Sequence, residues 1–258
     1  MPSRRRPAKL AVMDTDAGAA LVIGAGPGLG GAVARAFAAE GLTACLTRRP
    51  RNLPELEALA GSIRAGGGRA HAFGVDAREE TEMVGLFDRI EAEIGPLEAV
   101  VFNIGANVRF GVAETSAQVY RKVWEMAAYA GFLAAREAAR VMVPRGRGTL
   151  LFTGATASVR GGAGFSAFAG AKHALRALAQ SAARELGPKG VHVAHVVIDG
   201  AVDGTFSRER LGDALAERLA QEAILRPEEV ARNYVWLHRQ GRSAWTFELD
   251  LRPWTEPW

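Results

Sequence analysis

Val22-Ile23-Gly24-Ala25-Gly26-Pro27-Gly28-Leu29-Gly30 stands where a short apolar run, Ala20–Ile23, gives way to a small-residue helix predicted over Gly30–Glu40. The run reads as a buried strand, too short and too apolar for a surface helix. Glycines at such a junction let the chain turn tightly, bring its backbone close to a pyrophosphate and pack helix against strand. The helix N-terminus then presents unpaired N–H groups and a positive dipole end to the anion. Gly24, Gly28, Leu29 and Gly30 are therefore candidate dinucleotide-binding residues. A glycine-rich segment can also be only a tight turn; the strand before it and the helix after it are what the binding motif requires.

Working outward, strand and helix patterns alternate. Strands are predicted at 42–47, 71–75, 97–102, 149–153, 191–198 and 244–249. Helices are predicted at 53–65, 79–94, 116–143, 165–186 and 227–239, with a mobile helical insertion over 205–221. Continuous apolar strands separated by helices imply a parallel sheet covered on both faces. The expected fold class is α/β, a doubly wound parallel sheet of Rossmann type. No linker or repeat divides it, so residues 19–258 form one domain.

Composition narrows the functional classes. At 258 residues the chain can bury a large core without staples. No apolar run reaches the length of a membrane span, so no membrane role is expected. The single cysteine, Cys45, excludes an intramolecular disulfide framework and a cysteine-rich zinc site, so a cytoplasmic protein without a metal is expected. The net charge of +4 comes almost wholly from arginine, the lysines being Lys9, Lys122, Lys172 and Lys189. Acidic residues are interspersed, and no basic stripe for nucleic acid stands out. Arg4-Arg5-Arg6 lies in residues 1–18, read as a disordered basic tail with no apolar stretch of a signal peptide.

The second strand ends in Thr47-Arg48-Arg49-Pro50-Arg51. An acid there would bond an adenosine ribose hydroxyl and repel a 2′-phosphate; guanidinium forks bind a 2′-phosphate well. Arg48 and Arg49 thus point to NADP(H), the alternative being a solvated basic turn.

With these features the sequence resembles the short-chain dehydrogenase/reductase family over roughly residues 19–252. Gly24, Gly28 and Gly30 look like its TGxxxGxG loop, with Ile23 at the Thr position. Asp76 is similar to the family's adenine-contacting Asp. Phe102-Asn103-Ile104-Gly105 looks like NNAG, and Lys172 matches the lysine of YxxxK. The resemblance implies cofactor contacts from Asp76, Asn103, Gly105 and Lys172. It also implies a catalytic Tyr, Ser and Asn, and here the chain departs: Phe168, Ala155 and Ala128 stand at those positions. Losing a positioned proton donor costs about 10²–10⁴ in rate. Ser158, Thr153 and Thr156 lie near the absent Ser, so a displaced hydroxyl from one of them could still contact a substrate. Asp199-Gly200 falls where the family has Pro-Gly beside the nicotinamide. Asp199 is either a replacement acid or counter-charge, or a turn residue bonding its own backbone. Asn107 either faces substrate or caps a turn. His173 and His195 read as a surface and a strand residue.

Two functions follow. One is an NADP(H)-dependent oxidoreductase acting on a small molecule that needs no phenol, such as an iminium or an activated alkene. The other is a non-catalytic NADP(H)-binding sensor or scaffold. By the resemblance, the Ala-rich helices at 116–143 and 165–186 form a homodimer or homotetramer interface. Trp254 and Trp258 then either pack on a neighbouring subunit or on their own.

Overall fold

The computed structural model describes residues 18–257 of the chain. Seven strands form a single parallel sheet in the order β3-β2-β1-β4-β5-β6-β7: β1 Ala19–Ile23, β2 Thr43–Arg48, β3 Arg69–Gly74, β4 Leu97–Phe102, β5 Gly148–Thr153, β6 Val191–Ile198 and β7 Glu248–Leu251. Alternate side chains of each strand enter different cores. Leu21 and Ile23 pack with Phe87, Phe102 and Leu175 on one face, while Ala20 and Val22 pack with Phe37, Leu59 and Tyr234 on the other. Burial on both sides is why the strands are continuously apolar.

On the first face lie α3 Glu80–Glu93, α4 Ala117–Trp124, α5 Ala130–Met142 and α6 Ser166–Leu186. On the second lie α1 Leu29–Ala39, α2 Leu53–Ala65 and α9 Pro227–His238, the first and last of these in contact with each other. Two short helices, α7 Thr205–Leu211 and α8 Ala214–Ala220, form the insertion after β6. Register aligns Ile23 with Thr47 and Phe102, and Ile198 with Leu251, so the strands' carboxyl ends share one edge. Sheet order reverses between β1 and β4, and crevices at such switch points receive ligands.

Three sequence expectations need correction. Gly18 belongs to the domain and not to a tail: it is buried, its carbonyl accepts from Thr43 N–H, and an added Cβ would lie 2.4 Å from Glu98. The rest of the proposed basic tail lies outside the described residues. The helix expected over 116–143 is broken by a π-helical turn, Glu125–Tyr129, which inserts an extra residue between α4 and α5. The last strand is not 244–249. Trp245 instead stacks on His192 with ring centroids 4.9 Å apart, and the strand begins three residues later, at Glu248. Among the described residues, no helix is long and apolar enough to cross a membrane.

Candidate active site

The glycines after β1 have three different physical reasons. Gly24 has φ +92°, a conformation L side chains rarely adopt, and its carbonyl accepts from the Asn103 side-chain amide at 3.1 Å. At Gly30 a Cβ would lie 2.5 Å from the Gly24 carbonyl oxygen and 2.9 Å from the Asn103 amide, so this glycine allows helix, loop and β4 to meet. Gly28 caps α1 and has nothing within 4 Å of an added Cβ. It is the open side of the loop, where an anion can approach the helix N-terminus.

A cavity of about 230 Å³ lies beside this loop. Gly24, Arg48, Arg49, Asp76, Asn103 and Gly105 all line it, so six of the candidate nucleotide residues converge on one space. Arg48 bonds Glu55 at 2.8 Å, and its guanidinium carbon lies 3.8 Å from where a Gly26 Cβ would stand. Burial and the positive charge of Arg51 depress the Arg49 pKa. Ala106, also in the wall, holds φ +61°, an uncommon conformation for a residue other than glycine that costs on the order of 1–3 kcal/mol. Asn107 is exposed.

Arg78, not singled out by sequence, lines the same cavity and forks across Asp76 at 2.9 and 2.5 Å. Its guanidinium holds the Asp76 carboxyl below the usual carboxylate range. The available signal was an acid and an arginine two residues apart in the turn after β3.

Along the edge toward β5–β7 the chemistry changes. Lys172, one turn beyond Phe168 on α6, is buried and donates to the carbonyls of Thr153 at 2.8 Å and Ile104 at 3.0 Å. Burial pulls its pKa down to about 7. The Phe168 ring centroid is 5.9 Å from its Nζ, and the ring packs with Ala157, Ala169, Ala155 and Phe165. Ala128 is buried within the π-helical turn. The hydroxyls near Ala155 are all engaged. Ser158 is fully buried and accepts from Ala155 N–H at 3.1 Å, correcting the expectation that it could meet a substrate. Thr153 bonds the buried Tyr234 phenol at 2.7 Å, and burial raises that phenol's pKa. Thr156 donates to Asp199.

Asp199 is buried, and Arg252 lies 3.0 Å from Oδ2 and Arg160 3.7 Å from Oδ1. It is a clamp between the β6 exit and the segment after β7, and its N–H also bonds the Leu251 carbonyl. Gly200 follows with φ +145°, packed so closely under Pro253 that a Cβ would lie 2.7 Å from its ring. The Trp254 indole donates to Gln221 of its own chain; Trp258 lies outside the described residues. His173 is exposed and bonds the Ala169 carbonyl. His195 is a fully buried strand residue that meets Glu248 at 3.0 Å, and burial lowers its pKa to about 4.

A parallel sheet of this order, a glycine loop at its switch point and a lysine from α6 beside the end of β5 define a nucleotide-binding oxidoreductase architecture. The chain belongs to the short chain dehydrogenase family, which it matches over residues 18–216. It is 46% identical to a short-chain dehydrogenase of Rhodopseudomonas palustris of known structure, with TM-score 0.78, covering 92% of this chain and 99% of that one. A short-chain dehydrogenase/reductase of Armillaria gallica is 30% identical over 175 residues, 67% of each chain. A structure of an actinorhodin polyketide ketoreductase variant with NADPH has TM-score 0.84 at 23% identity, covering 93% of this chain and 97% of the other. That likeness is one of fold. The chain spans 67%, 31% and 65% of the lengths of three curated relatives that it matches.

Proposed function

We propose that the protein is an NADP(H)-dependent oxidoreductase that passes a hydride to or from a small molecule without a tyrosine proton donor. The observation that carries the reading is the pairing of an arginine-lined cavity at the glycine loop with the apolar cluster around Phe168, near which the Thr153, Thr156 and Ser158 hydroxyls are all engaged. Arg48 and Arg49 beside Gly26 suit a 2′-phosphate, and the NADPH complex of the ketoreductase neighbour supports the same nucleotide. Phe168, Ala155 and Ala128 cannot exchange a proton. The acceptor must therefore be activated already, as an iminium carbon or a polarised alkene is. Because Asp199 is matched by Arg252 and Thr156, it serves this reading as a clamp and not as a counter-charge. That pairing leaves no spare counter-charge for a cation, since burying an unmatched charge is costly; a neutral polarised alkene would give an enolate on hydride addition, which takes its proton from solvent. A bound nucleotide would supply the hydride, Lys172 would orient its ribose, and the cluster around Phe168 would add apolar surface beside it.

The fully buried Ser158 and the packed Phe165–Phe168 cluster favour a second reading, an NADP(H)-binding protein that performs no reduction. An NADPH-oxidation screen over ketones, imines and enones separates them. Turnover of imines or enones supports the enzyme; tight NADPH binding with no turnover supports the second reading. In either case the protein acts in the cytoplasm as a homo-oligomer. The ladder of Trp124, Tyr129 and Phe132 on α4–α5, with two of its rings exposed, is the surface such an assembly would cover.

A further inference from the structure

The cavity beside the glycine loop is lined by two kinds of surface. Arg48 and Arg49 suit phosphate. Val75, Ala77, Ile104 and Met126 present apolar surface, and the carboxylate in the lining is Asp76. Apolar walls with a single hydrogen-bonding edge suit a flat heterocycle, and a carboxylate on that edge selects a ring bearing an N–H donor.

A carboxylate has about four lone-pair directions, and here three are taken by one residue. Oδ1 accepts from the Arg78 backbone N–H at 3.1 Å and from Arg78 Nε at 2.9 Å; Oδ2 accepts from Arg78 Nη2 at 2.5 Å. Both side chains are largely shielded, and the Asp76 N–H is itself tied to Glu82 at 2.8 Å. The carboxylate plane is therefore fixed, and one direction on Oδ2 remains. We infer that Arg78 is the positioning residue for base recognition, because its fork leaves Oδ2 of Asp76 as a single oriented acceptor for a nucleobase amine. The inference rests on the nucleotide reading above and extends it to a residue that does not itself touch the base.

Arg78 acts in three ways. It keeps Asp76 ionised, since the guanidinium stabilises the charged form. It stops the carboxylate from rotating to present both oxygens, or to turn away. It also carries a positive charge close to Arg49, whose own pKa it helps to depress. A lysine would supply the charge but not the planar fork.

The test uses the full-length protein, NADPH, and reduced nicotinamide hypoxanthine dinucleotide phosphate, in which a carbonyl replaces the purine amine. Binding is followed by nicotinamide fluorescence. Wild type should prefer the amine nucleotide by about tenfold or more, the range for a hydrogen bond to a charged acceptor. Arg78→Leu should reduce the preference to about two- to threefold, while leaving the preference for NADPH over NADH in place. Arg78→Lys should fail to restore it. In wild type the base preference should persist well into the acid range, whereas in Arg78→Leu it should fade at higher pH, as Asp76 takes up a proton. A wild-type preference retained by Arg78→Leu, or restored by Arg78→Lys, overturns the inference. Should Arg78→Leu not fold, Arg78→Lys decides alone: an unchanged preference defeats the fork. Failure of wild type to bind either nucleotide brings down the nucleotide reading and this inference together, and is distinguished by the wild-type arm itself.

Discussion

At the β1–β3 end of the sheet's carboxyl edge, Arg49 faces a cavity beside two ion pairs, Arg48 with Glu55 and Arg78 with Asp76; at the β5–β7 end the charged side chains face one another. Arg49 lines the open space, and burial, followed by the charge of Arg51, lowers its pKa. Asp199, by contrast, is matched by Arg252 and Thr156, and Glu248 by Arg176 and His195. One end leaves a cation facing open space, and the other holds β6, β7 and α6 together. Unmatched charge at a cleft marks where the molecule meets something else, and matched buried charge marks where it does not.

The widest test tries to erase the difference by rebuilding the β5–α6 end. Phe168→Tyr with Ala155→Ser returns a phenol beside Lys172 and a hydroxyl at the end of β5. If hydride transfer is intact and only the proton donor is missing, ketone reduction should rise by about 10²–10⁴, the usual worth of a positioned acid. NADPH affinity should stay near that of wild type. NADPH-oxidation rates with a ketone panel decide it, and no gain at all would favour the binding-only protein.

Next in size is the glycine loop. Gly30→Ala places a methyl 2.5 Å from the Gly24 carbonyl oxygen, against backbone that cannot swing aside. Overpacking of this kind costs about 1–3 kcal/mol, and the displaced loop should lose nucleotide affinity as well. Gly28→Ala meets nothing within 4 Å and should retain most of the stability while affecting binding. Thermal unfolding and NADPH titration of the two variants separate packing from access; equal loss of stability in both would contradict the roles given to them.

The arginines at the end of β2 sharpen the comparison further. Arg48→Ala with Arg49→Ala should cost about 1–3 kcal/mol of NADPH binding, as for charge-assisted hydrogen bonds. NADH binding should barely change. Equal losses for both nucleotides would mean that the cluster is a solvated turn.

Much of this arrangement was legible in the sequence, for physical reasons that also set the limit. Strands β4 and β6 and helix α2 fall on the predicted residues because each is an apolar or periodic run bounded by polar or glycine-rich chain. The glycine loop, Arg48 and Arg49 were readable as candidates because each answers to a local backbone or charge requirement; Asp76 was singled out only by likeness to the family's motif. What escaped depends on partners distant in sequence. Tyr234 meets Thr153 across 81 residues, Asp199 meets Arg252 across 53, and Trp245 leaves the strand pattern to stack on His192. Arg78 escaped for another reason: adjacency in sequence does not reveal that a side chain folds back over its neighbour.

The smallest effect expected on nucleotide binding is a fraction of a proton at Lys172. Burial lowers its pKa to about 7, so near neutrality the folded protein holds it about half protonated, while the unfolded chain, with an ordinary lysine pKa near 10.4, keeps it fully charged. Between those two values the unfolded state binds more protons, so stability should rise with pH through that window and be lowest, in this respect, below it. Lys172→Met removes the titration and should flatten the rise, which urea unfolding at pH 7, 8.5 and 10 would show. Nucleotide binding adds a second readout. An anionic dinucleotide at the glycine loop favours the ammonium form, so NADPH binding at pH 7 should take up as much as about half a proton. Calorimetric titration in buffers of different ionisation enthalpy measures that uptake directly. Loss of the uptake in Lys172→Met, together with weaker binding, would assign the lysine to the nucleotide. Unchanged affinity with vanished turnover would instead make Lys172 the proton donor, and the charge at the β5–α6 end would then be directed at a substrate after all.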